Sequence, residues 1–316
     1  MSAKPGISGL LNINKPTGIT SHDVVARVRK LARQRKVGHA GTLDPMATGV
    51  LLVCLGQATR LIEYLMPGQK QYRATVRFGI STDTLDAEGQ VTAQKGISGL
   101  TETRLRGVLP TFLGEIEQLP PIFSALKRGG KPLHRLARAG QPVEVEPRQI
   151  TIESLTWVAW QPPDLILDIV CSPGTYIRSL ARDLGEAVGT GAHLAALTRT
   201  ASGDWSLPDA VSLDVLEREA AHDASAWQKY LYPPDRAVVH LAQITLDEES
   251  VQRVKQGQQI QIDSLILSGE TDGELIRAYT PAGDFLAILT RVEAGDKLWQ
   301  PKKVFLTLHS SSKVAE

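Results

Sequence analysis

A single carboxylate sits in the middle of the segment Gly38-His39-Ala40-Gly41-Thr42-Leu43-Asp44-Pro45-Met46-Ala47-Thr48-Gly49. The same segment holds one histidine and three glycines, and the apolar run 50–55 follows at once. Glycine permits tight turns and close approach to the backbone. An apolar run of that length reads as a buried strand, which would hold the loop rigidly. A lone Asp fixed on such a loop has the chemistry of a nucleophile or a base. On residue types alone, an ordinary turn aspartate before a proline is an equally open reading.

Other chemistries find little support. The seven histidines are scattered, with no HExxH and no CxxC, so no metal site is expected. A dinucleotide fingerprint, a phosphate-cradling GxxxxGK[ST] and a GxSxG elbow are absent. Cys54 and Cys171 lie in apolar surroundings and read as buried free thiols of a reducing cytoplasm. No apolar run approaches 18 residues, and 1–5 form no signal-peptide core. With 42% apolar residues over 316 positions, one large domain and a small one are expected.

The net charge of +1 conceals an asymmetry. Residues 1–60 carry nine Lys/Arg against two Asp/Glu, and 121–150 carry six against two. Two basic segments on an otherwise acidic chain point to a localised polyanion footprint, the alternative being solvated helix and loop faces.

The elements that would carry these residues follow from periodicity. Thr20 followed three residues later by Asp23 is a capping pattern. Val24, Val25, Val28, Leu31 and Ala32 then recur at helical spacing to about Gln34, with Arg27, Lys30 and Arg33 on another face. That helix delivers the chain to the Asp44 loop. Residues 72–78 alternate as a half-buried strand, with Tyr72, Ala74, Val76 and Phe78 on one face. The polar, acidic stretch 81–89 reads as a loop, and 101–113 as a helix ending at Gly114. Prolines and glycines bracket 119–131 as an excursion from the core, and a short basic helix is expected after it. Residues 165–171 read as a strand and 175–188 as a helix. An acidic helical segment at 212–221 precedes several short strands with Gly-containing turns between 240 and 308, as in a compact β-barrel-like module.

Several strings, in order, resemble the motifs of the TruB family of tRNA pseudouridine synthases. They are the Asp44 string itself, 9–18 around Lys15-Pro16, Lys70-Gln71-Tyr72, 171–180 around Tyr176-Ile177-Arg178, and 194–200 around Leu197. The resemblance spans nearly the whole chain. It implies an α+β pseudouridine synthase fold with a large mixed sheet, and a catalytic domain over about 5–235. It also implies an RNA-gripping insertion at 121–150 and a small PUA-like β-rich RNA-binding domain at 240–308. In the insertion His134 stands where the family usually has a tyrosine.

The implied activity is isomerisation of the T-loop uridine of tRNA, position 55, without cofactor or metal. Asp44 would be catalytic, Tyr72 would contact the base, and Arg178 would pair with Asp44. Leu197 and Tyr176 would complete the site. His39 would fill the space of the flipped nucleotide, while Lys15, Lys127, Arg128 and Lys131 would serve the RNA. An ion-paired Asp44 is expected to have its pKa lowered by Arg178. The chain is expected to be a cytoplasmic monomer acting on the tRNA T arm, with no membrane contact and no obligatory protein partner. Taken one at a time, Tyr72 and Leu197 could equally be core, Arg178 a surface helix residue, Lys15 a solvated turn residue and His39 a loop cap. The rival functions are an RNA-folding protein without essential catalysis and a guide-dependent synthase.

Overall fold

The computed structural model describes residues 6–123, 127–128, 131–132, 145–262, 274–292 and 297–305. The short basic helix expected after 131, with His134, lies outside them, as do the side chains of Lys127, Arg128 and Lys131.

The strands, in chain order, are β1 (Gly9–Lys15), β2 (Val37–Ala40), β3 (Thr48–Leu55), β4 (Lys70–Phe78), β5 (Ile80–Thr82), β6 (Val91–Gln94), β7 (Gly114–Gln118), β8 (Lys127–Arg128), β9 (Lys131–Pro132), β10 (Arg148–Gln161), β11 (Asp164–Cys171), β12 (Ala192–Ser202), β13 (Trp205–Ser206), β14 (Val211–Ser212), β15 (Ala242–Thr245), β16 (Ile260–Gln261), β17 (Leu275–Tyr279), β18 (Phe285–Arg291) and β19 (Leu298–Val304). The helices are α1 (Ser21–Ala32), α2 (Ile62–Leu65), α3 (Glu102–Val108), α4 (Ile177–Ala187), α5 (Leu213–His222) and α6 (Glu248–Lys255). The chain is therefore an α+β protein with a large mixed sheet. Its order is β14-β1-β3-β12-β4-β11-β10-β7, with β2 on β3 and β13 on β12. The β1–β14 and β3–β12 pairs are parallel, the other pairs of this sheet antiparallel.

Burial explains the two kinds of strand pattern. Strand β3 is apolar almost without break because both its faces are covered, and its neighbour β1, though it carries Asn12, Asn14 and Lys15, is buried on both faces as well. Leu11, Ile13, Leu51 and Val53 enter one core with α1 and α4. Leu10, Val50, Leu52 and Cys54 enter a second core with Phe285 and Ile288 of the C-terminal sheet and Phe305 just after it. Truncating Leu52 to Ala at that seam should cost about 2–5 kcal/mol. Strand β4 alternates, with Tyr72, Ala74, Val76 and Phe78 buried and Gln71 and Arg73 exposed, because only one of its faces is packed.

Helix α1 starts as the sequence dictates. Thr20 accepts from the Asp23 amide at 3.1 Å and Asp23 accepts from the Thr20 amide at 2.8 Å, a closed capping box. The helix expected over 101–113 is shorter: α3 stops at Val108 and a 3-10 turn, with Pro110 inside it, carries the chain to Phe112. Strands β15 to β19 form a second sheet in the order β15-β17-β18-β19-β16. Helix α6, absent from the strand-only expectation, packs Val251 and Val254 into its core beside Ile276, Leu289 and Trp299. Among the described residues no helix is long and apolar enough to cross a membrane.

Candidate active site

The Asp44 loop is held from below by buried cations. Lys15, at the end of β1, has no exposed surface. Its ammonium donates to the carbonyls of Pro16 (2.9 Å), Ile19 (2.6 Å) and Pro45 (3.1 Å). The structure thus places Lys15 under the loop, away from solvent, where it ties the turn after β1 to the residue after Asp44. Burial pulls its pKa down to about 8, against the opposing charge of Asp44. One residue before Asp44, the Leu43 amide donates to Ser21 Oγ at 2.9 Å and its carbonyl accepts from the same hydroxyl at 3.1 Å. Arg199 of β12, 2% exposed, donates to the carbonyls of Val50 (2.7 Å), Gly41 (3.1 Å) and Thr42 (3.4 Å). Gly49 lets β3 and β12 meet here: a Cβ at its positive φ would lie 2.2 Å from the Arg199 carbonyl oxygen.

Above this base, Arg178 on the first turn of α4 grips Asp44 with two nitrogens. Nε lies 3.0 Å from Oδ2 and Nη2 3.2 Å from Oδ1. The Arg178 side chain is 6% exposed and the Asp44 side chain 37%, so a substrate reaches the carboxylate and not the guanidinium. Arg178 is fixed by further acceptors: the carbonyls of Thr84 (3.0 Å) and Phe123 (2.8 Å) and Asp86 Oδ2 at 3.4 Å. Asp86 is itself buried and takes hydrogen bonds from Thr84 Oγ1 and the Glu88 amide. Between Thr84 and Asp86, Leu85 adopts φ 64°, an unusual conformation for a branched apolar residue and a small store of backbone strain.

Asp44 opens onto a cleft of ≈ 320 Å³ lined by Thr42, Tyr72, Tyr176, Arg178, Leu197 and Arg199, with Lys70 and Met66 at its wall. The structure therefore brings Asp44, Tyr72, Tyr176, Arg178 and Leu197 together. Tyr72 and Leu197 come from the paired strands β4 and β12. Tyr176 is set by the Gln118 side chain, which accepts from its amide at 2.8 Å and donates to its carbonyl at 3.1 Å. Burial raises the Tyr72 hydroxyl pKa, with Arg199 opposing. Burial likewise lowers Lys70 to about 8, and the Arg199 charge adds to that.

Burial also raises the Asp44 carboxyl above the usual range, Arg178 pulls it down, and the Asp86 charge pushes it up again. The expectation of a lowered pKa is thus corrected. Desolvation at the cleft base outweighs the pull of the ion pair.

His39 stands apart from this cluster, on β2 opposite Val53. Its ring meets the exposed His22 edge-on, with centroids 5.4 Å apart and planes at 85°. Burial, then the charges of His22 and Arg199, lower its pKa to about 4, so it is a neutral imidazole at physiological pH. Lys127 and Arg128 pair with Pro132 and Lys131 as a short ribbon, β8–β9, inside the predicted insertion.

Sequence reasoning singled out neither Asp86 nor Arg199. Asp86 lay in a stretch readable only as an acidic loop. Arg199 sat in a quoted motif whose leucine drew the attention, and its partners lie 149–158 positions away.

Comparison with known proteins agrees with this geometry. The model of the TruB family pseudouridylate synthase N-terminal domain matches residues 29–177, and that of the tRNA pseudouridylate synthase B C-terminal domain matches 178–239. The tRNA pseudouridine synthase B of Dehalococcoides mccartyi is 44% identical over 301 residues, 95% of this chain and 97% of that protein. That of Synechocystis sp. is 48% identical over 260 residues, 81% and 86% of the two chains. Among solved structures, a chain of a Cbf5-Nop10-Gar1 complex is 27% identical with a TM-score of 0.72, over 97% of this chain and 87% of that one. Sequence and architecture agree: the chain belongs to the TruB family of pseudouridylate synthases.

Proposed function

We propose that this protein converts the T-loop uridine of tRNA at position 55 to pseudouridine, acting alone and without a guide RNA. The observation that carries the reading is the Asp44–Arg178 pair at the base of a cleft walled by Tyr72 and Leu197. Pseudouridine formation breaks the C1′–N1 bond, joins C1′ to C5, removes the C5 proton and adds one at the freed N1, with no net oxidation or reduction. Asp44, reachable and held by a buried cation, acts on the sugar. Tyr72 faces the base and Leu197 closes the apolar side. The uridine must leave its stack to reach Asp44, and His39 takes the vacated place.

Supporting the stand-alone reading, the relatives named tRNA pseudouridine synthase B are 44% and 48% identical, against 27% for the Cbf5-Nop10-Gar1 chain. In this reading the catalytic domain spans 5–235 and the module at 240–308 is a PUA-like RNA-binding domain. The insertion at 121–150, through Lys127, Arg128 and Lys131, and the exposed face of α1 hold the phosphates. Lys15 serves the RNA only indirectly, by fixing the loop. The protein works in the cytoplasm as a monomer, with no obligatory protein partner and no metal or cofactor.

The test is the purified chain on an unmodified tRNA transcript. Wild type forms pseudouridine at position 55, and Asp44→Asn binds the same transcript with undetectable turnover. Appreciable turnover by Asp44→Asn would remove Asp44 from the chemistry. Turnover by wild type only after a guide RNA is added would favour the ribonucleoprotein reading.

A further inference from the structure

If His39 is to enter the RNA stack, its ring must be held at a defined angle. Hydrogen bonding does not hold it at Nδ1: that atom is buried and has no partner among the described residues. Its neighbour is His22. Two independent rigid elements set the 5.4 Å edge-to-face contact between the rings. His39 is fixed by the pairing of β2 with β3. His22 follows Ser21, whose hydroxyl is locked to both the amide and the carbonyl of Leu43, and it lies within the closed capping box of Thr20 and Asp23. The same hydrogen bonds that set the position of Asp44 therefore set that of His22, whose own side chain is exposed.

We propose that His22 is a positioning residue for base flipping: its imidazole braces the His39 ring so that His39 enters the RNA stack in one orientation. The inference rests on the flipping role given to His39. An edge-to-face aromatic pair favours one ring plane over the others. The brace also explains why the histidine sits on the capping turn of a helix tied to the Asp44 loop: ring and carboxylate then keep a constant offset, one meeting the stack and the other the sugar. His22 touches no reacting atom in this account. Its effect passes through His39, and a phenyl ring of similar shape replaces it.

The experiment uses the full-length protein and two substrates, a structured T-arm stem-loop and an unstructured RNA presenting the same uridine. Single-turnover rates are measured for wild type, His22→Ala, His22→Phe, His39→Ala and the His22→Ala/His39→Ala double variant. His22→Ala is expected to slow the structured substrate by roughly three- to tenfold, the range of one aromatic contact. The unstructured substrate keeps its rate, His22→Phe restores the structured one, and His22→Ala adds nothing once His39 is Ala. A wild-type rate for His22→Ala on the stem-loop, equal slowing of both substrates, or failure of His22→Phe to restore the rate would each overturn the brace.

A second readout separates this inference from the reading beneath it. In the RNA-free protein, the ring resonances of His39 should be sharp in wild type and His22→Phe and exchange-broadened in His22→Ala. Unchanged line widths would overturn the brace whatever the rates. If His39→Ala slows both RNAs alike while the line widths respond as expected, the flipping role of His39 fails and the contact with His22 stands.

Discussion

The molecule uses the same side chains in two opposite ways. Under the cleft, Lys15, Arg178 and Arg199 are almost fully buried and donate to carbonyls and carboxylates of the protein. Along α1 and the turn after it, Lys30, Arg33, Arg35 and Lys36 are all exposed. A buried cation with fixed acceptors sets geometry, because moving it leaves a desolvated charge without partners. An exposed cation supplies long-range attraction to phosphate and tolerates variation in position. The difference teaches that burial divides the basic residues of this chain into those that fix the geometry of the cleft and those left at the surface, to which the proposed function gives the RNA.

That division can be broken or sharpened by substitution. The largest effect is expected from Arg178→Lys, which keeps a charge and loses the two-nitrogen grip on Asp44. The saturating single-turnover rate should fall by roughly two orders of magnitude, the scale of a fork of charge-assisted hydrogen bonds, with tRNA affinity unchanged. In the proposed reaction Asp44 acts ionised, and its pKa is raised by burial and restrained by Arg178. Rate should therefore be lost as pH falls through a value above the usual carboxylate range, and a weaker partner should move that limb to higher pH. A limb that stays in place, with near wild-type rate, would deny the pair its function.

Next comes Lys15→Met, which deprives the carbonyls of Pro16, Ile19 and Pro45 of one donor. Thermal or urea unfolding should show a loss of about 2–3 kcal/mol, accompanied by a slower reaction at saturating tRNA. A weakened Kd with unchanged stability would instead make Lys15 an RNA contact.

The smallest effect on rate is expected on the surface side. Replacing Lys30, Arg33 and Lys36 together by Gln should weaken binding and flatten its salt dependence by roughly 0.7–0.9 in log–log slope for each phosphate that is no longer neutralised. The rate at saturation should stay put. An unchanged slope would move the footprint to another face.

The site was legible in the sequence where its signal was local. The Asp44 loop announced itself through its glycines and the apolar run behind it, and α1 through the Thr20–Asp23 cap. What stayed hidden depends on distance in the chain. Strand β12 lies at the centre of the sheet, between β3 and β4. Its Ala-rich sequence does not alternate, and register shifts at Leu194/Ala196 and Arg199/Ala201 break the period that a strand would show. Strand β10 is interrupted in the same way at Ile152/Ser154 and Trp157/Ala159. The value of Arg199 lies in carbonyls from another part of the chain, and that of Asp86 in holding an arginine 92 positions later. Neither leaves a mark on its own neighbours. The second covered face of β3, by contrast, was written in its unbroken apolar run, although what covers it was not.

The division of labour is tested most directly by joining its two halves in one protein. Arg178→Lys is combined with the Lys30, Arg33 and Lys36 replacements, and Kd and single-turnover rate are measured on the same tRNA transcript. Independent sites add in free energy. The account predicts the rate of Arg178→Lys alone together with the affinity of the surface variant alone. A rate that drops further, or an affinity that departs from that of the surface variant, would contradict the separation of buried cations that shape the reaction from surface ones that hold the RNA.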